Sequence, residues 1–234
     1  MPQTAPVRPA KGGARILIVD DHPIVREGLV KLIDLEGDLR VVGEAETVSE
    51  ARKAAEQLKP DLVVLDITLR EGNGLDLVRD LRVRCPKTSV LVLSMHDETI
   101  YAERALKAGA RGYLMKDQAR GNVVAAIRRV LSGEVYLSLR MSQQVLDKMA
   151  SGGAPGGGSP VDVLSDRELE VFRLLGEGLS TRQVAQQVHR SIRTIDAHRE
   201  NIKRKLRLSS AAELIKRAVL WVQDEGGGGA GKKN

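Results

Sequence analysis

The stretch Leu62-Val63-Val64-Leu65-Asp66, four apolar residues followed by a carboxylate, decides the fold. Similar apolar runs occur four more times in the first half of the chain, at Ile16–Val19, Val41–Ala45, Val90–Leu93 and Tyr113–Met115. Because the runs are continuous rather than alternating, they predict strands buried on both faces of a parallel sheet. Segments of helical length separate and follow them, near residues 23–34, 48–58, 74–83, 98–108 and 119–132. This alternation predicts a doubly wound α/β fold around a five-stranded parallel sheet.

A glycine-rich stretch divides the chain. Residues 151–160 (SGGAPGGGSP) contain only Gly, Pro, Ser and one Ala, which predicts a flexible linker. The expected organisation is a disordered tail over 1–13, the α/β domain over 14–134 and a linker helix over 135–150. The linker at 151–160, a second domain over 161–225 and a disordered tail over 226–234 follow.

The second domain has no strand pattern and is predicted to be small and all-α. Three capping boxes mark helix starts, at Ser165…Glu168, Ser180…Gln183 and Ser210…Glu213, and Ser191 can cap a fourth helix. The expected helices span roughly residues 166–176, 181–188, 192–207 and 210–223.

Composition narrows the class of protein. Aromatic residues make up only 2% of the 234, so the cores must be aliphatic. The single cysteine, Cys85, excludes an internal disulfide and suits a reducing cytoplasm. No apolar run reaches the roughly 18 residues that span a membrane. Seven basic and two acidic residues within Arg190–Arg207 indicate either a polyanionic partner or simply a solvated helix face.

The carboxyl ends of the predicted strands carry a consistent set of polar residues. Asp20 and Asp21 end the first strand, Asp66 the third, Ser94 the fourth and Lys116 the fifth. Sites in open α/β sheets form at these ends, and converging carboxylates need a cation, for which Mg²⁺ is suited. A carboxylate there can act as a nucleophile toward phosphorus, with Lys116 and Ser94 neutralising and hydrogen bonding the phosphoryl oxygens.

Taken singly, each of these residues has a structural explanation: an Asp at a strand end often caps the next helix, and a Lys there is often surface. The agreement of four strand ends favours a site.

The first domain resembles the receiver domain of bacterial response regulators over about residues 15–131. The resemblance rests on the motifs VDDH at 19–22, LDI at 65–67, VLSM at 92–95 and GYLMKD at 112–117. It implies that Asp66 accepts a phosphoryl group from a histidine kinase. It also implies that Asp20, Asp21 and the backbone carbonyl of Thr68 complete a Mg²⁺ site, and that Ser94 and Tyr113 form a switch pair. Arg70 stands where many members of the family have proline, which affects the expected shape of the loop.

His22 has two interpretations. Beside a carboxylate cluster it can be a metal ligand or proton carrier. Alternatively it precedes Pro23 at a helix start, where proline suits the first turn, and this is the favoured interpretation.

Residues 180–206 predict a helix, a tight turn and a second helix. Val184, Ala185 and Val188 form the inner face of the first helix, and Ile195, Ile202 and Leu206 form an inner stripe on the second. A recognition helix needs such an inner face and an outer face that reaches DNA. The outer face carries Arg193, Asp196, Ala197, Glu200, Lys203 and Arg204. The hydroxyls of Ser180, Thr181, Ser191 and Thr194 can bind phosphates at helix N-termini. The alternative is a helical bundle with a cationic surface.

The second domain resembles the LuxR-type helix-turn-helix over about residues 163–223. The motifs are LSDRELEV at 164–171, GLS at 178–180 and RTI at 193–195, followed by His198-Arg199, Ile202 and Lys205-Leu206. Joined to a receiver domain, this implies the NarL/FixJ class of transcriptional regulators, with Arg199 among the DNA-contacting residues. The family's last helix forms the dimer contact, which implies Leu214, Ala218 and Trp221 here, although Trp221 also suits the core.

Two residues depart from the LuxR pattern. Arg190 replaces an aliphatic residue before Ser191. Asp196 and Glu200 stand at positions that are often basic. They can accept from cytosine in the major groove or pair with Arg193 or Arg204, and we favour the pairing.

The expected function is a phosphorylation-controlled, DNA-binding transcription regulator, homodimeric when phosphorylated, with a histidine kinase and promoter DNA as partners. It would catalyse only its own phosphorylation and dephosphorylation. Two alternatives are a receiver-like module used only for dimerisation or ligand binding, and a Mg²⁺-dependent phosphatase. The second usually needs an acid two residues after the nucleophile, where this chain has Thr68.

Overall fold

The computed structural model describes residues 13–69, 72–96, 98–150 and 160–227. The chain divides into two compact units, Met1–Gly153 and Ala154–Asn234. The predicted tail over 1–12, the linker residues 151–159 and the tail over 228–234 lie outside the described residues.

The first unit alternates strands and helices as the sequence predicts. The strands are β1 (Ala14–Val19), β2 (Leu39–Ala45), β3 (Leu62–Leu65), β4 (Ser89–Ser94) and β5 (Gly112–Met115). The helices are α1 (Pro23–Asp34), α2 (Val48–Leu58), α3 (Gly74–Arg84), α4 (Glu98–Ala108), α5 (Ala119–Leu131) and α6 (Leu139–Ala150).

The five strands form one parallel sheet in the order β2-β1-β3-β4-β5. Alternate strand residues such as Ile16, Ile18 and Val64 join one core cluster with side chains of α1 and α5. Their neighbours, among them Leu17 and Val63, are equally buried outside that cluster. Burial of both faces explains why the runs are continuously apolar, and it confirms the doubly wound α/β fold.

The segment after α5 differs from the prediction of a helix over 135–150. Residues 135–138 are not helical, and Tyr136 instead forms a parallel bridge with Gly112 of β5. Tyr113 N–H donates to the Tyr136 carbonyl at 2.9 Å, and Tyr136 N–H donates to the Arg111 carbonyl at 3.0 Å. The helix begins at Leu139 because these backbone groups are already paired with the sheet edge.

The second unit consists, over its described residues, of helices joined by short turns. A 3₁₀ turn at Pro160–Val163 precedes α7 (Asp166–Gly176), α8 (Thr181–Gln187), α9 (Ile192–Leu206) and α10 (Ala211–Gly227). The capping boxes predicted at Ser165 and Ser180 are both present. At Ser210 the box is shifted, because Glu213 accepts from the backbone N–H of Ser209.

Helix α10 runs four residues beyond the predicted end at 223 and into the expected tail. Among the described residues, no helix combines the length and the apolar character needed to cross a membrane.

Candidate functional site

Two buried carboxylates and one lysine meet at the carboxyl edge of the sheet. Asp20 directly follows β1 and is 1% exposed, and Asp66 directly follows β3 and is 4% exposed. Lys116, which follows β5, places its Nζ 2.6 Å from Asp20 Oδ2 and 2.7 Å from Asp66 Oδ2. The strand ends therefore bring together three of the residues that the sequence singled out. With Asp21 and Ser94 we call this group the acidic pocket.

Burial controls the protonation of this pocket. Burial and the nearby Asp20 carboxylate raise the pKa of Asp66 to about 6, against the lowering effect of Lys116. For Lys116, burial disfavours the charge, but Asp66 and Asp20 outweigh it and raise the pKa of the ammonium. At neutral pH the lysine is therefore charged and Asp66 is mostly ionised, as a nucleophilic carboxylate must be.

Asp21 and His22 extend the donor set of the pocket. One ligand atom from each of Asp20, Asp21, His22 and Asp66 lies within 4.8 Å of the others. His22 Nδ1 is 2.8 Å from Asp21 Oδ1 and 3.1 Å from Asp20 Oδ1. His22 also immediately precedes α1, whose first residue is Pro23, so it stands at a helix start as the favoured interpretation has it. Three carboxylates at this spacing fit a hard divalent cation such as Mg²⁺.

The loop after Asp66 is held close to that residue. Thr68 N–H donates to Asp66 Oδ1 at 3.1 Å. Asn73 caps α3 by accepting from Leu75 N–H, and Gly74 N–H donates to the Ile67 carbonyl. A Cβ on Gly74 would lie 2.5 Å from the Asp66 carbonyl oxygen, so only glycine allows this approach. Arg70, where a proline is common, lies outside the described residues.

Arg26 supports the pocket through the Asp20 backbone, and the sequence reasoning missed it. This buried residue of α1 donates from Nη1 to the Asp20 backbone carbonyl at 2.6 Å. Its Nη2 is 2.5 Å from Glu46 Oε1, and its Nε is 3.4 Å from Glu44 Oε2. The guanidinium thus ties the end of β1 to the end of β2. An arginine one turn into the helix that follows an acidic strand end is the sequence signal that could have identified it.

Ser94 and Tyr113 are connected through His96, a second residue that the sequence reasoning missed. Ser94 is fully buried, and its Oγ accepts from His96 N–H at 3.2 Å. The hydroxyl of Tyr113, a residue that is 1% exposed, donates to the His96 carbonyl at 2.8 Å. His96 Nε2 lies 2.7 Å from Thr68 Oγ1, and its ring stacks on Tyr101 at 4.7 Å. The position of His96 two residues after Ser94 was the available signal.

Helices α8 and α9 form the candidate DNA-binding surface. Val184, Ile195 and Ile202 are fully buried, whereas Leu206 of the predicted inner stripe is only half-buried. On the outer face of α9, Arg193, Asp196, Ala197, Glu200 and Arg204 are exposed and Thr194, Arg199 and Lys203 are half-buried. Ser180 and Ser191 are exposed and cap their helices, and Thr181 is half-buried.

The acidic residues of α9 pair with neighbours other than the predicted ones. Glu200 Oε1 lies 2.8 Å from Lys203 Nζ, and Asp196 Oδ1 lies 3.7 Å from Arg199 Nη1. The expected partners Arg193 and Arg204 are not used, and Arg204 donates to Asn201. The physical reason lies in α8, because Thr181 accepts from Arg199 and holds its guanidinium above Asp196.

Of the three predicted dimer residues of α10, Leu214 and Ala218 lie in the core of the second unit, and Trp221 is half-buried. Leu214 and Ala218 are fully buried, and the Trp221 ring lies 5.6 Å from that of Phe172. A Cβ on Gly176 would collide with the Ala218 carbonyl, so α7 and α10 are packed backbone to backbone. This burial argues against a contact of Leu214 and Ala218 with a second copy, since neither offers free surface.

Comparisons with known proteins match both units. The response regulator receiver domain matches residues 16–128, and the luxR family of bacterial regulatory proteins matches residues 162–218. The oxygen regulatory protein NreC of Staphylococcus aureus is 31% identical over 209 residues, which cover 88% of this chain and 96% of NreC.

Two solved structures are also similar. A two-component response regulator of the LuxR family from an Aurantimonas species is 35% identical, with a TM-score of 0.55 over 59% of this chain and 99% of that one. Salmonella enterica RcsB, solved bound to a promoter with the phosphomimetic BeF3-, is 25% identical, with a TM-score of 0.60 over 88% of this chain and 98% of that one.

Proposed function

The chain belongs to the response regulators of the NarL/FixJ class, which join a receiver domain to a LuxR-type DNA-binding domain, and we propose that phosphorylation of Asp66 controls promoter binding by α9. The receiver domain would span residues 14–134, with a histidine kinase as the phosphoryl donor. The DNA-binding domain would span residues 161–225. The protein would act in the cytoplasm and modify only itself.

One observation carries the proposal: Lys116 Nζ bridges Asp20 and Asp66 at 2.6 and 2.7 Å in a buried pocket. In the proposed reaction an Asp66 carboxylate oxygen forms a bond to phosphorus, while the bond from phosphorus to the kinase histidine breaks. The electron pair of that bond stays on the histidine nitrogen. Lys116 would neutralise one phosphoryl oxygen, and the Ser94 hydroxyl would donate to another.

Asp20, Asp21, Asp66 and the backbone carbonyl of Thr68 would hold a Mg²⁺ ion, which supplies charge neutralisation for the incoming phosphoryl group. The cluster of three carboxylates supports this assignment, because charges so close are costly without a cation. Arg26 would keep the first two carboxylates in place by fixing the Asp20 backbone.

The modified receiver would act on DNA binding either by releasing the DNA-binding domain or by dimerising. The exposed outer face of α9, with Arg193 and Arg204 among its members, supports a role in the major groove. The half-buried Arg199 and Lys203 are paired with acids, which leaves their charge locally balanced. A dimer would read two half-sites about one turn of DNA apart.

The test is phosphoryl uptake from a small phosphodonor in the presence of Mg²⁺. We expect the wild-type chain to acquire one phosphoryl group and Asp66→Asn to acquire none. Asp76→Asn is the matched control, because Asp76 lies on α3, is exposed and pairs only locally with Arg79. Uptake by Asp66→Asn at the wild-type rate would rule out the assignment.

A further inference from the structure

A partly buried hydrogen bond joins the first turns of two helices in the first unit. Glu98 is the first residue of α4 and is 8% exposed. Its Oε1 accepts from Ser138 Oγ at 2.6 Å. The same Ser138 oxygen accepts from Met141 N–H at 3.0 Å, so Ser138 is the N-cap of α6. Met141 is 1% exposed, so a buried apolar side chain and this polar pair both lie in the first turn of α6.

The same segment reaches the acidic pocket through His96, two residues before Glu98. The backbone N–H of His96 donates to Ser94 Oγ, and its imidazole lies 2.7 Å from Thr68 Oγ1. Thr68 in turn donates its backbone N–H to Asp66. His96 also stacks on Tyr101 of α4, so it contacts both the pocket and the helix that carries Glu98. A change at Asp66 therefore has a short, contiguous route to the start of α4.

We propose that Glu98 and Ser138 form a latch that holds α6 on the receiver domain and opens when Asp66 is phosphorylated. The inference rests on the proposed phosphorylation of Asp66. A phosphoryl group on Asp66 needs a hydrogen-bond donor, and the Ser94 hydroxyl can turn toward it. Ser94 Oγ then no longer accepts from the backbone N–H of His96. The freed backbone shifts and moves Glu98 with it. A displacement of about 1 Å takes the 2.6 Å pair past hydrogen-bonding distance.

The latch gives α6 a regulatory role. Helix α6 spans 12 residues and is the last element among the described residues of the first unit. While the latch is closed, those residues belong to the receiver domain. When it opens, they lengthen the tether to the DNA-binding domain and lower the effective concentration of one domain around the other.

Hydrogen exchange of the α6 amides in the full chain tests the latch. In the wild type with Mg²⁺, we expect beryllofluoride to speed the exchange of residues 139–147 at least tenfold, because the helix is freed to open locally. Glu98→Ala should show the fast exchange without beryllofluoride. Glu98→Gln should not, because its amide oxygen still accepts from Ser138. Asp76→Ala removes a first-turn acid from α3 and is the matched control.

A second variant separates the latch from the helix cap. Ser138→Asp keeps an N-capping oxygen but cannot donate to Glu98 and repels it. We expect it to exchange as fast as Glu98→Ala in residues 139–147. Slow exchange of residues 139–147 in both variants would overturn the latch. The latch would also be overturned if beryllofluoride does not change the exchange of these residues in the wild type.

A third measurement tests the trigger. Phosphoryl uptake measured in parallel separates two kinds of failure. A wild-type chain without uptake contradicts the proposed function and the trigger, whereas the Glu98→Ala exchange still decides whether the latch holds α6.

Discussion

Arg26 is a charged residue inside a core, and its stability contribution depends on the partners that surround it. Arg26→Met would leave the Asp20 carbonyl without this donor and Glu46 without its close cation. We expect the free energy of unfolding of the first unit to fall by about 1.5–3 kcal/mol, the range for hydrogen bonds to charged groups.

Urea unfolding measures this change, with Arg84→Met as the control. Arg84 makes a surface pair with Glu56, whose side chains are 55% and 46% exposed. Such pairs contribute less than about 1 kcal/mol. Equal losses in the two variants would mean that the Arg26 network contributes no more than a surface ion pair.

Gly74 matters for the position of Asp66 rather than for chain flexibility. In Gly74→Ala the new Cβ meets the Asp66 carbonyl oxygen at 2.5 Å and must push the loop away. We expect a loss of about 1–3 kcal/mol in stability and slower phosphoryl uptake. Gly121→Ala on α5 is the control, because nothing lies within 4 Å of its Cβ, and it should gain up to about 1 kcal/mol. Unchanged phosphoryl uptake in Gly74→Ala would show that the position of this loop does not affect the reaction at Asp66.

At the residue scale, the sequence predicted groups that stand at strand ends and missed those that act from a distance. Asp20, Asp66 and Lys116 could be placed together because parallel strands end at one edge. His96 and Arg26 could not, since their partners are set by tertiary contacts. Thr68 lies 28 positions away from His96, and the Asp20 group that Arg26 contacts is a backbone carbonyl with no sequence signature.

Helices α7 and α9 are joined by an ion pair that depends on pH. Glu168 Oε2 lies 2.6 Å from Lys205 Nζ and also accepts from Ser165 N–H. Burial opposes the charge, but these partners outweigh it and lower the pKa of Glu168 below its usual 4.5. The unfolded chain therefore binds the proton first as the pH falls. This stabilisation is complete above about pH 4.5 and is lost as the pH drops through the folded-state pKa.

The prediction is that the second unit loses less stability between pH 5.5 and pH 3.5 in Glu168→Gln than in the wild type. Glutamine keeps the capping box but has no proton to gain. Trp221 is the only tryptophan, so its fluorescence during urea unfolding reports this unit alone. Glu177→Gln, at the C-cap of the same helix, is the control. If the stability of Glu168→Gln depends on pH as in the wild type, protonation of Glu168 is not a cause of the stability loss at low pH.

At the element scale, local signals placed most helices to within a residue or two. The boxes at Ser165 and Ser180 fix the starts of α7 and α8, because their hydrogen bonds are made within four residues. The partners of Asp196 were mispredicted, since i±3 and i±4 spacing permits several arginines and Thr181 of α8 selects Arg199. Residues 135–138 were mispredicted as helix because Tyr136 pairs with Gly112 of β5.

The whole molecule should bind DNA with a salt dependence that α9 controls. If Arg193 contacts a phosphate, Arg193→Ala should lower the slope of log K against log salt by about 1, at any promoter sequence. Lys216→Ala on α10 is the control and should leave the slope unchanged. If Arg193→Ala keeps the wild-type slope, Arg193 does not contact a DNA phosphate.

Cutting the chain within residues 151–160 should give two folded pieces, since each unit has its own core. If the unphosphorylated receiver domain inhibits DNA binding, the C-terminal piece should bind more tightly than the intact unphosphorylated chain. Equal or weaker binding by the piece would exclude relief of inhibition and leave dimerisation as the mechanism. Gel-shift titrations at one fixed salt concentration measure the difference.

At this largest scale the sequence predicted two domains and a tether but no coupling between them. The contact that we propose for coupling, between Glu98 and Ser138, joins residues 40 positions apart. No pattern of spacing or composition marks such a pair before the fold brings it together.

The bridge between Tyr136 and Gly112 has a further consequence, for aggregation. It occupies backbone groups at the β5 edge, which would otherwise be a template for a strand of another chain. The opposite edge is β2, where Arg40 and Glu44 add charge and the pairing with β1 is irregular between Ile16 and Leu17. Both edge strands are therefore protected against pairing with a strand of another molecule. We therefore expect the receiver domain to stay free of edge-to-edge polymers at high concentration, so that any self-association would use its helices.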